Sequence, residues 1–195
     1  MVKILVDGRP YGRVCVGRDM ERFEVKRGIE KTIGGNAGLA ELATKYFDNV
    51  VVNGEGVFTA SLAILKHVQG GFTDDGKLLV DLQQMKGDEL SDFLSADGGR
   101  ESAMNARTNW SSFLDEATGY NPKQRGDKAK EGGKKISKSK SAISMARKFM
   151  NISTNVSNEK KVQAEELISQ IEEKLGEGNA TRALSLSEKL NKLFS

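Results

Sequence analysis

The residues with the most chemical promise are ten cations crowded between Tyr120 and Lys148. They are Lys123, Arg125, Lys128, Lys130, Lys134, Lys135, Lys138, Lys140, Arg147 and Lys148, opposed only by Asp127 and Glu131. The segment is net +8 (10 − 2) over 29 residues, in a chain of 195 residues that is net +3, so the remainder is net −5 (3 − 8). Ammonium and guanidinium groups at this density can neutralise phosphates. Each contact releases condensed counterions, so affinity rises with the number of contacts and depends weakly on base sequence. These ten residues are therefore expected to contact nucleic acid, with nothing to separate DNA from RNA; the plainer alternative is a solvated tether. Trp110, Phe113 and Tyr120 lie just upstream and offer faces for base stacking. Core packing is the simpler reading, since Trp110 and Phe113 stand at i and i+3.

Other groups carry weaker signals. Ser137, Ser139, Ser141 and Ser144 interleave with the cations, where phosphorylation would cancel local charge, although ordinary polar spacing explains them. Lys134 to Lys138 also fits a nuclear-localisation pattern, which is too common to identify anything. Gly34-Gly35-Asn36-Ala37-Gly38 precedes a helical stripe and could cradle a phosphate. It matches neither Gly-x-Gly-x-x-Gly nor a P-loop, so a simple connection is preferred. Cys15 and His67 are the one cysteine and the one histidine. As a nucleophile and base they would make a reactive pair, but a cysteine among valines reads as packing and a lone histidine as a surface residue. They are too few for tetrahedral zinc. Asp74, Asp75 and Asp81 could gather a hard cation, though Asp74-Asp75-Gly76 is ordinary turn chemistry. No catalytic residue, metal ligand or cofactor is expected.

The elements that must position the basic segment differ on its two sides. Residues 1–118 read as an α+β domain with β-hairpins and helices. Residues 1–33 read as strands: Lys3–Val6 and Arg13–Gly17 flank the turn Asp7–Gly12, and Phe23 and Val25 alternate with charged residues. Leu39, Leu42, Ala43 and Tyr46 form a helical stripe. Asn49–Asn53 reads as a strand, and Val57-Phe58 begins another. Leu62, Leu65 and Val68 read as one helical face ending at Gly70-Gly71. Lys77–Leu82 reads as a strand, Asp88–Leu94 as a short helix and Arg100–Thr118 as a longer one, with Ala103, Met104, Trp110, Phe113 and Leu114 as candidate buried positions.

Residues 119–158 read as a flexible basic linker of low complexity, too poor in apolar residues to offset the entropy of ordering. Within it, the part containing Ile143, Ala146 and Met150 reads as helical. Residues 159–195 read as an αα-hairpin. Ala164, Leu167, Ile168, Ile171 and Leu175 make one stripe; Gly176–Asn179 turns the chain; Ala183, Leu186, Leu190 and Leu193 make the second. Two such helices are marginal alone. Leu167, Ile171, Leu175, Leu186, Leu190 and Leu193 are therefore expected to meet a further surface: the N-terminal domain, another copy of the chain in a homo-oligomer, or a protein partner.

A single cysteine cannot form an internal disulfide, which suits a reducing compartment. No apolar run approaches the length of a membrane span. The expectation is a cytoplasmic, non-enzymatic, nucleic-acid-associated protein that self-associates or binds a partner through its C-terminal helices. The alternative is a protein-interaction or assembly module without nucleic-acid binding. An enzyme would have to work with carboxylates, lysines or a tyrosine, and no spacing of these is informative.

Overall fold

The chain is mixed α+β. Its structure, a computed structural model, describes residues 20–54, 56–153 and 156–194. The hairpin expected around Asp7–Gly12, with Cys15, lies outside the described residues. Two compact units meet in sequence at Asn121 and Pro122.

Among the described residues, the first unit is built on a five-stranded antiparallel sheet: β1 (Met20–Phe23), β2 (Asp48–Val52), β3 (Phe58–Leu62), β4 (Leu65–Phe72) and β5 (Leu78–Gln84), in spatial order β1-β5-β4-β3-β2. Helices α1 (Ile29–Ile33) and α2 (Gly35–Ala43) fall between β1 and β2; α3 (Gly87–Ser95) and α4 (Gly99–Thr118) follow β5. The apolar stripe of α2 buries Leu39, Leu42 and Ala43. That of α4 buries Ala103, Ala106, Phe113, Leu114 and Ala117. Both pack on Phe58, Ala60, Val68, Leu78 and Val80 of the sheet. Phe113 centres an aromatic cluster, with its ring centroid 5.0 Å from that of Phe47 and 5.6 Å from that of Phe58. Asn36 ties α2 to the sheet, its Oδ1 accepting from the Phe72 amide at 2.6 Å.

Three expectations for this unit are corrected. Residues 29–33 form a helix, not a strand. Leu62, Leu65 and Val68 do not share a helical face: Leu62 pairs with Leu65 across a two-residue turn, and Val68 pairs with Ala60 beyond a register shift in the β3–β4 ladder. A spacing of three suits a helix, but backbone pairing with flanking strands decided the outcome. Met104, placed in the core by its neighbours, is 66% exposed because it projects beside the stripe rather than along it.

The second unit is three helices: α5 (Pro122–Ile152), α6 (Asn158–Gly176) and α7 (Ala180–Leu193). The hairpin expected at 159–195 is present as α6 and α7. The segment expected to be a flexible linker is instead a helix of 31 residues. Pro122 opens it, where proline's missing N–H costs nothing. Its buried residues, Ser139, Ala142, Ile143, Ala146 and Met150, fall at i, i+3, i+4, i+7 and i+11. Lys135 Nζ donates to Thr181 Oγ1 at 3.2 Å, and the Phe149 and Phe194 rings lie 5.1 Å apart. These two contacts make α5 and α7 parallel. Arg147 of α5 pairs with Glu172 of α6 at 3.0 Å. Ser139, Ala142 and Ala146 on α5 and Ala183 and Ser187 on α7 are all buried small residues, which permits close helix approach. The two hydroxyls donate to carbonyl oxygens one turn back, Lys135 and Ala183, so neither is left unsatisfied.

A candidate polyanion-contact surface on α5

Once α5 is a helix, the ten cations are no longer equivalent. At about 100° per residue, Lys123, Lys130, Lys134, Lys138 and Lys148 fall within an arc of about 80°, roughly 150° from the buried stripe. All five are exposed. They form a line about 38 Å long at a rise of about 1.5 Å per residue. Among the described residues, no ion pair engages any of the five. Asp127 interrupts the line between Lys123 and Lys130.

The other cations are spent differently. Lys128 and Lys135 reach Glu131 at 3.0 and 2.8 Å. Hydrogen bonds from Lys135 and then Lys128 hold the Glu131 carboxyl down at about 2. Arg125 and Lys128 are part-buried, on the side away from the line. Arg147 is paired with Glu172. Lys140 and Lys148 flank a groove of about 580 Å³ between α5 and α6, floored by Ile143 and Leu175 and crossed by the Arg147–Glu172 pair.

In line with the lysines, the last turns of α5 carry Met145 and Ile152, 69% and 82% exposed, with Phe149 beside them at 44%. Sequence periodicity alone did not single these out, because they sit near the apolar residues that are buried. Their offset from Ile143, Ala146 and Met150 is the signal that distinguishes them.

The residues expected to meet a partner are largely occupied within the chain. Ile171, Leu186 and Leu190 are buried with Ile143, Ala146 and Met150, and Leu167, Leu175 and Leu193 pack partly against the same core. The further surface that the hairpin required is α5. Trp110 and Phe113 belong to the aromatic cluster of the first unit: Phe113 is buried, and Trp110 is part-buried and stacks on it. Tyr120 is part-buried.

The remaining candidates do not converge. Asp74 and Asp75 lie in the β4–β5 turn, where Asp75 pairs with Arg22 and accepts from Thr73 Oγ1 at 2.7 Å. Asp81 sits in β5 opposite Met20 and Gln69. Among the described residues, no three His, Cys, Asp or Glu side chains gather as a metal would require. His67 is in β4 opposite Gln83. Gly34 to Gly38 makes the corner between α1 and α2. A Cβ on Gly38 would stand 1.7 Å from the Ile33 carbonyl oxygen, so this glycine serves chain packing. Ser137, Ser141 and Ser144 are exposed on α5, whereas Ser139 is buried. No described helix is long and apolar enough to cross a membrane.

A family model described as a domain of unknown function, DUF5611, matches residues 20–131. The match takes in the described part of the sheet unit and the first ten residues of α5, including Lys123 and Lys130. No curated protein and no solved structure matches the chain.

Proposed function

Since the chain belongs to the DUF5611 family, whose function is unknown, we propose a role from its own residues: a non-enzymatic, nucleic-acid-associated protein that holds phosphates along α5. The observation carrying this reading is the line of five exposed lysines, none with an ion-pair partner among the described residues. Lysine is a strongly hydrated point charge on a flexible stem. Five of them on one face of a helix are already ordered along the backbone before they meet a row of phosphates. Charge separation between the units supports the reading. Residues 1–121 are net −4 (14 − 18) and residues 122–195 net +7 (16 − 9), which sum to the whole-chain +3.

The test is a salt titration of binding to nucleic acid. Five phosphate contacts give a slope of about −4 to −5 for log affinity against log salt. Binding that is absent, or indifferent to salt, rejects the reading.

A second reading, a protein-interaction or assembly module, is favoured by one observation: the exposed Met145, Phe149 and Ile152 on the last turns of α5. Contiguous exposed apolar side chains mark interaction surfaces. In this reading these three, and not the buried seam of α6 and α7, meet a partner or a second copy. Sedimentation of the wild type and of Met145→Gln/Ile152→Gln tests it. A mass above one chain that falls in the variant supports self-assembly, and a single chain in both removes the second copy as the occupant.

A further inference from the structure

Resting on the phosphate-contact reading, we infer that the ligand of the α5 line is a double-stranded nucleic acid, gripped by its backbones without base reading. Three observations lead there.

The line contains lysine as its only basic residue type. Within its arc stand Lys123, Asp127, Lys130, Lys134, Lys138, Ser141, Met145, Lys148 and Ile152. There is no arginine, asparagine or glutamine, the side chains that read base edges by paired hydrogen bonds.

The line also lacks a stacking platform. Single-strand binders draw about 1–3 kcal/mol per base from aromatic faces. Phe149 is the one exposed aromatic among the described residues, and its ring already meets that of Phe194. Without stacking, affinity rests on charge density alone. A duplex carries about one charge per 1.7 Å of axis, and its counterion release per contact is larger, about 0.9 against about 0.7 for a single strand.

Geometry agrees with charge. The five lysines span about 38 Å of helix within an arc of about 80°, close in length to one turn of a duplex at about 34–36 Å. A stiff duplex presents phosphates to such a rod without being reshaped, whereas a single strand must first be extended.

The experiment is fluorescence anisotropy of the full chain with four labelled probes: a duplex of about thirty base pairs, one of its strands, a duplex of unrelated sequence, and poly-glutamate of similar charge. The duplex is expected to bind at least about threefold tighter than its strand near 0.1 M salt, and the two duplexes to agree within about twofold. Lys130→Gln/Lys134→Gln/Lys138→Gln is expected to lose about two orders of magnitude in affinity and to make the salt slope shallower by about 3. Lys189→Gln/Lys192→Gln on α7 is expected to lose far less. A strand that binds as tightly as the duplex, or a strong preference between the duplexes, overturns the duplex inference and leaves phosphate contact standing. A control variant that loses as much as the triple variant also overturns the inference, because the line is then not the site. Poly-glutamate matching the duplex, or no binding by any probe, overturns both.

Discussion

Gly70 of β4 lies against the ring of Phe58 on β3: a Cβ there would stand 2.8 Å from Phe58 Cε1 and 3.0 Å from its Cζ. Phe58 in turn packs on Phe113 of α4, so the ring has no room to retreat. Gly70→Ala is expected to destabilise the protein by about 1–3 kcal/mol through overpacking. Gly71→Ala, whose Cβ would meet Val57 Cγ2 at 3.4 Å, should cost less. Urea unfolding of the two variants checks the order. Equal stabilities would contradict the β3–β4 register.

The basic half of α5 is a helix with little behind it. No residue from Pro122 to Lys138 is buried, and Gly126, Gly132 and Gly133 have nothing within 4 Å of a Cβ position. Lys130, Lys134 and Lys138 repel at i, i+4. Gly132→Ala/Gly133→Ala is therefore expected to strengthen the helix by roughly 1 kcal/mol per site. Slower amide exchange over residues 125–138 is the measurement. Faster exchange in the variant would show that the glycines are needed.

Ile171 and Leu190 test whether the α6–α7 seam is internal. Both are fully buried against α5. Ile171→Ala and Leu190→Ala are each expected to cost about 2–5 kcal/mol. A seam left open for a partner would behave differently, losing association with little loss of stability. Thermal unfolding and sedimentation of the same samples separate the two.

Glu131 gives the basic helix a pH dependence. Its carboxyl is held down at about 2 from 4.5 by Lys135 first and then Lys128. A lowered folded value means that its contribution is complete above the ordinary glutamate value and is lost as pH falls toward about 2. The helix around residues 128–135 is expected to fray over that window, and Glu131→Gln should flatten the response. Carboxyl NMR titration with amide exchange reads both. The pair is solvent-exposed, so the effect is modest and shrinks with added salt.

Local signals carried much of the fold. Three consecutive valines mark β2, turn residues bound β5, and the stripes of α2, α4, α6 and α7 repeat with helical period. In each case the pattern that marks the element is itself local, so periodicity is enough. It failed where a distant surface made the choice. Gly70-Gly71 resembles a helix stop, but Gly70 is glycine because a ring from the neighbouring strand occupies its Cβ position. Leu62, Leu65 and Val68 have a spacing that helix and hairpin both satisfy, and pairing with β5 settled it. Met104 lies one residue from buried Ala103, a difference that only the docking of α4 on the sheet reveals.

Charge content, the α+β composition of the first 118 residues and the C-terminal hairpin were determined by the amino-acid order alone, because each rests on local counts or local periodicity. The conformation of the basic segment was decided in three dimensions. Ser139, Ala142, Ile143, Ala146 and Met150 stabilise a helix only when α6 and α7 cover them, and that burial outweighs a lysine- and glycine-rich composition unfavourable to order. The same covering closes the leucine seam, and the helix it imposes draws Lys123, Lys130, Lys134, Lys138 and Lys148 into one line.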